Sequence, residues 1–164
     1  MRRILPLLLC LLLLFGCSET KRNICRNSSF SAELPEHFET VPNSPILCFA
    51  PYGDPLHSSS ITVAVTELNW YFDDFSNDDY SEALSELCVY ESITVKSAEV
   101  CRVDGHNARR IVCSVLIDQG EHDLVLYAIS ADRTYFFTLL NRQGDDYIDA
   151  FETMMKTIRF TEAK

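Results

Sequence analysis

The apolar positions along this chain change period several times, and each change marks an element. Apolar residues run almost unbroken from Ile4 to Phe15, interrupted by Pro6 and carrying Cys10. Residues 18–29, SETKRNICRNSS, are polar and have no period, which predicts a tether. Phe30 to Leu34 then alternate and stop at Pro35, as a short strand does. Ile46 to Ala50 and Ile61 to Leu68 predict two more strands, separated by a loop rich in turn residues, Pro51-Tyr52-Gly53-Asp54-Pro55. The period next lengthens: Tyr80, Ala83, Leu84, Leu87 and Cys88 form one helical stripe. Asp79 and Glu82 before it have the spacing of a capping box, which predicts Asp79 as the N-cap.

A run of strands follows. Ile93–Val103 and His106–Ile117 flank Asp104-Gly105, a two-residue hairpin signal. Asp118-Gln119-Gly120-Glu121 predicts a turn, Leu124–Ala131 a strand, and Thr134–Leu140 its return. Gly144-Asp145-Asp146 predicts the start of a last helix, striped by Tyr147, Ile148, Phe151, Met154, Met155 and Ile158. Several strands are apolar at consecutive positions, as in Val125-Leu126-Tyr127. A sheet with one wet face would alternate, so this sheet needs cover on both sides. The pattern predicts an α+β fold: an antiparallel sheet of about six to seven strands with helices on both faces. A two-residue turn at Asp104-Gly105 sets Cys101 opposite Ala108 and Cys113 opposite Lys96. Cys101 and Cys113 are then too far apart to bridge.

The opening run changes the picture of location. Arg2-Arg3, a short apolar stretch and a small residue describe an export signal, and the run is too short to span a bilayer comfortably. Leu14-Phe15-Gly16-Cys17 resembles the lipobox of bacterial lipoproteins. That resemblance implies a diacylglyceryl group on the Cys17 thiol and cleavage after Gly16. Two acyl chains hold a protein stably, where one does not. The expected organisation is a signal peptide at 1–16, a lipidated Cys17 with a polar tether at 17–29, and a single globular domain at 30–162. The domain would sit on the extracytoplasmic face of the cell membrane. Ser18 stands where enteric lipoproteins retained in the inner membrane carry Asp, which in a two-membrane cell leaves the outer membrane open as the site and in a one-membrane cell carries no information.

Composition narrows the function. Loss of Arg2 and Arg3 takes the formal charge from −10 to −12, which disfavours nucleic acid. Five cysteines besides a lipidated Cys17 would remain (25, 48, 88, 101 and 113), with no C-x-x-C pair for zinc or thioredoxin-type redox chemistry. No metal site and no cofactor are expected. His106 and His122 lie at opposite ends of one long strand, about 35 Å apart, and cannot share an ion. The acidic run from Asp73 to Asp79 lacks the order, Gly and Glu of a calcium loop. It reads as the solvated start of a helix, where carboxylates meet the positive dipole end. There is no G-x-S-x-G, and His57-Ser58-Ser59-Ser60 reads as a polar loop. No catalytic residue is assigned.

One segment stands out as a recognition face. Trp70-Tyr71-Phe72 and Phe75 crowd a short stretch beside Asp73 and Asp74. Exposed rings with an acidic rim bind protein partners, sugars or cations, whereas buried ones merely seal a core. The Pro51–Ser60 loop is the next candidate.

The order of FSAELPEHF (30–38), VDGHNARRI (103–111), TYFFTLL (134–140) and YIDAFETMMKTIRF (147–160) resembles the PsbP-like superfamily, the Mog/PsbP/DcrB type, over about residues 28–162. The resemblance implies an αβα sandwich acting mainly as a binding or assembly module. The metal, photosystem and Ran contacts of its members find no matching residues here. The expected function is a non-catalytic envelope lipoprotein, membrane-bound through Cys17, with an envelope protein as partner. Two alternatives stay open: a solute-binding or accessory subunit of an envelope transporter or enzyme complex, and a hydrolase.

Overall fold

The computed structural model describes residues 23–67, 76–87, 90 and 92–161. Strands β1 (Ile24–Arg26), β2 (Phe30–Glu33), β3 (Phe38–Thr40), β4 (Leu47–Pro51) and β5 (Ser60–Thr66) come first. Helix α1 (Asn77–Leu87) leads to β6 (Ser92–Val103), β7 (His106–Ile117), β8 (Gly120–Ser130) and β9 (Thr134–Asn141), and α2 (Ile148–Thr157) and β10 (Arg159–Phe160) close the described chain. A seven-stranded antiparallel sheet has the order β3-β4-β5-β9-β8-β7-β6, and a small sheet has the order β1-β2-β10. The expected sheet size and α+β class are what the structure has.

Strand β8 shows why both faces needed apolar residues. Val125, Tyr127 and Ile129 join one core with Phe151, Met154, Met155 and Ile158 of α2 and with Phe30, Ala32 and Leu34 of the small-sheet segment. Leu124, Leu126 and Ala128 point the other way, into a second core with Tyr80 and Leu84 of α1. The two helices therefore cover opposite faces of the sheet, as two apolar rows on one strand require.

Local chemistry fixes the turns. Asp104 and Gly105 have φ of 49° and 81°, and Asp118 and Gln119 have 49° and 65°. Both are two-residue hairpins of the kind that positive φ at two successive residues gives. The turn predicted over 118–121 is thus shorter, and β8 starts earlier, at Gly120.

First, α1 is capped three residues before Asp79. The Ser76 N–H and hydroxyl both donate to Asp79 Oδ2, at 2.8 and 2.7 Å, and the Asp79 N–H donates back to Ser76 Oγ at 3.2 Å. This is a capping box with Asp in the role usually played by Glu, and Asp79 is its third helical residue, not its cap. Second, Cys113 faces Val95 and not Lys96, because a bulge inserts Lys96 between Val95 and Ser97. Cys101 does face Ala108, and it packs on the α2 core while Cys113 is buried in the α1 core. Opposite faces of a sheet are a stronger bar to a bridge than distance along it. Third, the segment expected as tether to residue 29 includes β1, whose Cys25 pairs with Ala32. Fourth, α2 begins at Ile148, because Asn141, Arg142 and Asp145 knot the preceding loop: Asn141 Oδ1 accepts the Tyr147 N–H at 3.1 Å, and Asn141 Nδ2 donates to the Asp145 carbonyl at 3.0 Å.

Candidate functional site

Among the described residues the cover on the α2 face is incomplete, and the gap follows from side-chain parity on β7. Ala108 is buried in the α2 core, so Arg110, Val112, Ser114 and Leu116 share its face. These four are only half-buried, while Ile111, Cys113 and Val115 between them are buried under α1. On the neighbouring edge strand β6, the register sets Ser97 opposite Val112 and Thr94 opposite Ser114. The result is a strip of sheet across β6, β7 and the start of β8 that α2 leaves accessible.

Paired charges border the strip. Glu152 of α2 takes Arg110 Nε on its Oε1 at 2.6 Å, and the Tyr127 hydroxyl donates to its other oxygen, Oε2. Arg110 and Glu152 side chains keep 25% and 22% of their exposure. Burial pulls the Arg110 guanidinium down, but the hydrogen bond to Glu152, the Glu152 charge and Tyr127 together outweigh that and hold it above its ordinary value. Burial, then the bond to Glu152, pushes the Tyr127 phenol well above its ordinary range. A fixed cation and a neutral phenol thus share one carboxylate, and both carboxylate oxygens are occupied. Further along, Lys96 Nζ meets Asp123 Oδ1 at 2.9 Å and the Ser114 hydroxyl donates to Glu121. The bulge at Lys96 belongs to the same strip, since it sits at the step in the β6 register.

Other polar clusters brace the frame. The Ser59 hydroxyl is fully buried; it donates to Asp145 Oδ2 at 2.6 Å and accepts the Arg142 N–H at 2.8 Å. A side chain so enclosed offers no attacking oxygen to a substrate. His57 lies on the surface, where its Nδ1 is 3.2 Å from Asp54 Oδ2. The hydrogen bond from His57, then that from the Leu56 N–H, holds the Asp54 carboxyl below its usual range. His122 Nδ1 accepts the Gln143 N–H at 2.9 Å, and His122 pairs with Val115. Val115 lies nine steps along β7 from His106, about 30 Å, so the histidines stay apart even though His122 lies within β8 and not beyond the strand end. Among the described residues, no three His, Cys, Asp or Glu side chains converge on a metal position. Burial raises the Cys25 and Cys48 thiols, and burial, then the Glu152 charge, raises that of Cys101, which keeps all three protonated and weakly reactive.

Trp70, Tyr71, Phe72, Asp73, Asp74 and Phe75 lie outside the described residues, as does Cys17. Among the described residues no helix is long and apolar enough to cross a membrane. The Arg110–Tyr127–Glu152 cluster was missed in the sequence. Its trace there is Arg110 at the same parity as Ala108 and Val112, and Glu152 one turn after Ile148 on the last helix.

Neither a known family profile nor a curated protein matches the sequence. Solved structures do match the fold. The cyanobacterial PsbP protein CyanoP of Synechocystis sp. PCC 6803 aligns over 89% of this chain and 98% of its own, with a TM-score of 0.61 and 14% identity. LpqN of Mycobacterium tuberculosis, described as involved in cell envelope biogenesis, aligns over 88% of both chains at a TM-score of 0.56 and 13% identity. PA94 of Pseudomonas aeruginosa, a protein of unknown function and putative regulator, aligns over 87% of this chain and 99% of its own at 0.54 and 16%. The fold is PsbP-like.

Proposed function

We propose that this protein is a lipid-anchored, extracytoplasmic envelope protein that binds or assembles with an envelope protein partner and performs no reaction itself. Cys17 carries the lipid, and the partner seats on the accessible strip of β6, β7 and β8. The observation that carries the binding role is the half-buried row Val112, Ser114 and Leu116, left open beside α2 on a rigid sheet. Its floor mixes apolar and hydroxyl side chains and its border is charged, the composition of a protein-binding patch. The engaged state of Arg110, Tyr127, Glu152 and Ser59 supports binding over chemistry, because each of these groups already serves the fold. The fold likeness to LpqN, with its envelope role, supports the location.

Two measurements test the proposal. Mass analysis of the processed protein should find Cys17 as the first residue, carrying diacylglycerol. An unmodified thiol there, or another first residue, removes the anchor. Crosslinking and capture of the full-length protein from its own membranes should recover a partner. Val112→Glu should abolish capture and Trp70→Ala should leave it intact. The opposite result moves the binding face to the aromatic segment, and retention in both variants ends the case for either surface.

A further inference from the structure

The folded chain begins close to its anchor. Only six peptide bonds separate Cys17 from Asn23, the first described residue, and fully extended they span about 20 Å. Asn23 is tied in place. Its Nδ2 donates to the Phe38 carbonyl at 2.6 Å, and its own carbonyl accepts the Leu34 N–H at 2.7 Å. Phe38 pairs with Pro51 at the end of β4, and the His37 carbonyl accepts the Tyr52 N–H at 2.9 Å. The tether therefore leaves the domain beside the β4–β5 loop.

That loop is an organised, apolar-tipped projection. Tyr52 is 74% exposed and Leu56 73%, while Ile24, next to Asn23, is 44% exposed. The Tyr52 ring stacks on His37, centroids 5.3 Å apart and planes 20° from parallel. His37 and Tyr52 both take the left-handed conformation, at φ of 65° and 53°, with Gly53 at 72°. A bulky residue seldom accepts that region, so the fold holds Tyr52 outward at a conformational cost. Asp54 orders the remainder: it accepts the Leu56 N–H at 3.0 Å, and its carbonyl takes the Ser58 hydroxyl.

We propose that Tyr52 and Leu56, with Ile24 beside the tether, rest in the interfacial layer of the bilayer that holds Cys17. The proposal relies on the lipid anchor put forward above. Tyrosine suits the headgroup boundary, since its ring is apolar and its hydroxyl polar, and leucine suits the acyl side of it. Two such contacts bind weakly alone. A tether this short keeps them at high local concentration against the surface, so weak contacts are enough to orient the domain. Glu36 and Asp54 flank the loop, each beside a histidine, and fit zwitterionic headgroups better than anionic ones.

The test uses the full-length lipoprotein in phosphatidylcholine vesicles with brominated acyl chains. Trp70→Phe removes the single tryptophan, and Leu56→Trp or Val100→Trp supplies a reporter. Val100 is 70% exposed on β6, at the opposite edge of the sheet from β3 and β4. Bromine should quench the reporter at 56 and not at 100. Hydroxyl-radical footprinting without the tryptophan changes gives a second reading: Tyr52 and Leu56 should be less oxidised in the anchored wild-type protein than in Cys17→Ala. Mass analysis of the same sample separates the two ideas. A lipidated protein with no quenching at 56 and no protection overturns the docked loop while the anchor stands. Quenching at both reporters overturns it as well. A protein without lipid on Cys17 loses both.

Discussion

The two faces of β7 differ in how completely the helices seal them. Toward α1, Ile111, Cys113 and Val115 are sealed with Leu124, Leu126 and Ala128 under Tyr80 and Leu84. Toward α2, Ala108 is equally sealed, but from Arg110 onward the residues are only half-buried and the contact becomes ionic. The same strand thus spends one face on stability and leaves half of the other accessible. The α2 face keeps a sealed core of its own around Phe151, Met154 and Met155, so the accessible strip lies beside packed side chains that hold the sheet in place.

Truncating adjacent residues of β7 tests the two faces against each other most strongly. Ile111→Ala should cost about 3 kcal/mol, as large-to-small changes in a full core do, and Val112→Ala less than about 1 kcal/mol. Urea unfolding of the two variants decides it, and equal losses would erase the distinction between the faces. Glu152→Ala comes next, at about 2 kcal/mol, because it strands the Arg110 guanidinium and the Tyr127 hydroxyl with little solvent to replace the carboxylate. Restored stability in the Arg110→Leu, Glu152→Leu pair would show that the charges are not needed to hold α2.

Tyr127→Phe is smaller, about 1 kcal/mol at neutral pH, but it has a pH signature. The folded protein holds the Tyr127 proton more tightly than the unfolded chain, whose value is near 10.0. Its contribution is therefore complete below that value and falls as pH rises through it toward the folded value. Unfolding followed above pH 10 should show a gentler alkaline decline in Tyr127→Phe than in the wild type. Ser76→Ala should cost about 1 kcal/mol through the lost cap of α1, a helix whose hold on the sheet is otherwise apolar. Smallest is Lys96→Ala. Its pair with Asp123 is about half exposed, so stability should shift by less than about 0.5 kcal/mol. Lost partner capture in that variant, without lost stability, would sharpen the view of the strip as a meeting surface.

Much of this fold could be read along the chain, and little of the site could. His106–Ile117 has the bounds that its hairpin turn and apolar run predicted, since both signals are local. Strands β1, β3 and β10 were missed because two or three residues carry no period, and only a neighbour makes them strands. The Arg110–Tyr127–Glu152 cluster joins two strands and a helix that are 42 residues apart at their extremes. No local spacing encodes such a meeting.

By itself, then, the amino-acid order determined which residues alternate, which stripe, and where the chain turns, because those depend on side-chain period and on backbone freedom at a few positions. It also determined the sheet's need for two covers. The folded arrangement set how completely each cover fits, which charges find each other, where the Lys96 bulge shifts the register, and which loop stands beside Asn23. Those are outcomes of packing between distant segments, where distance in space has no counterpart in spacing along the chain.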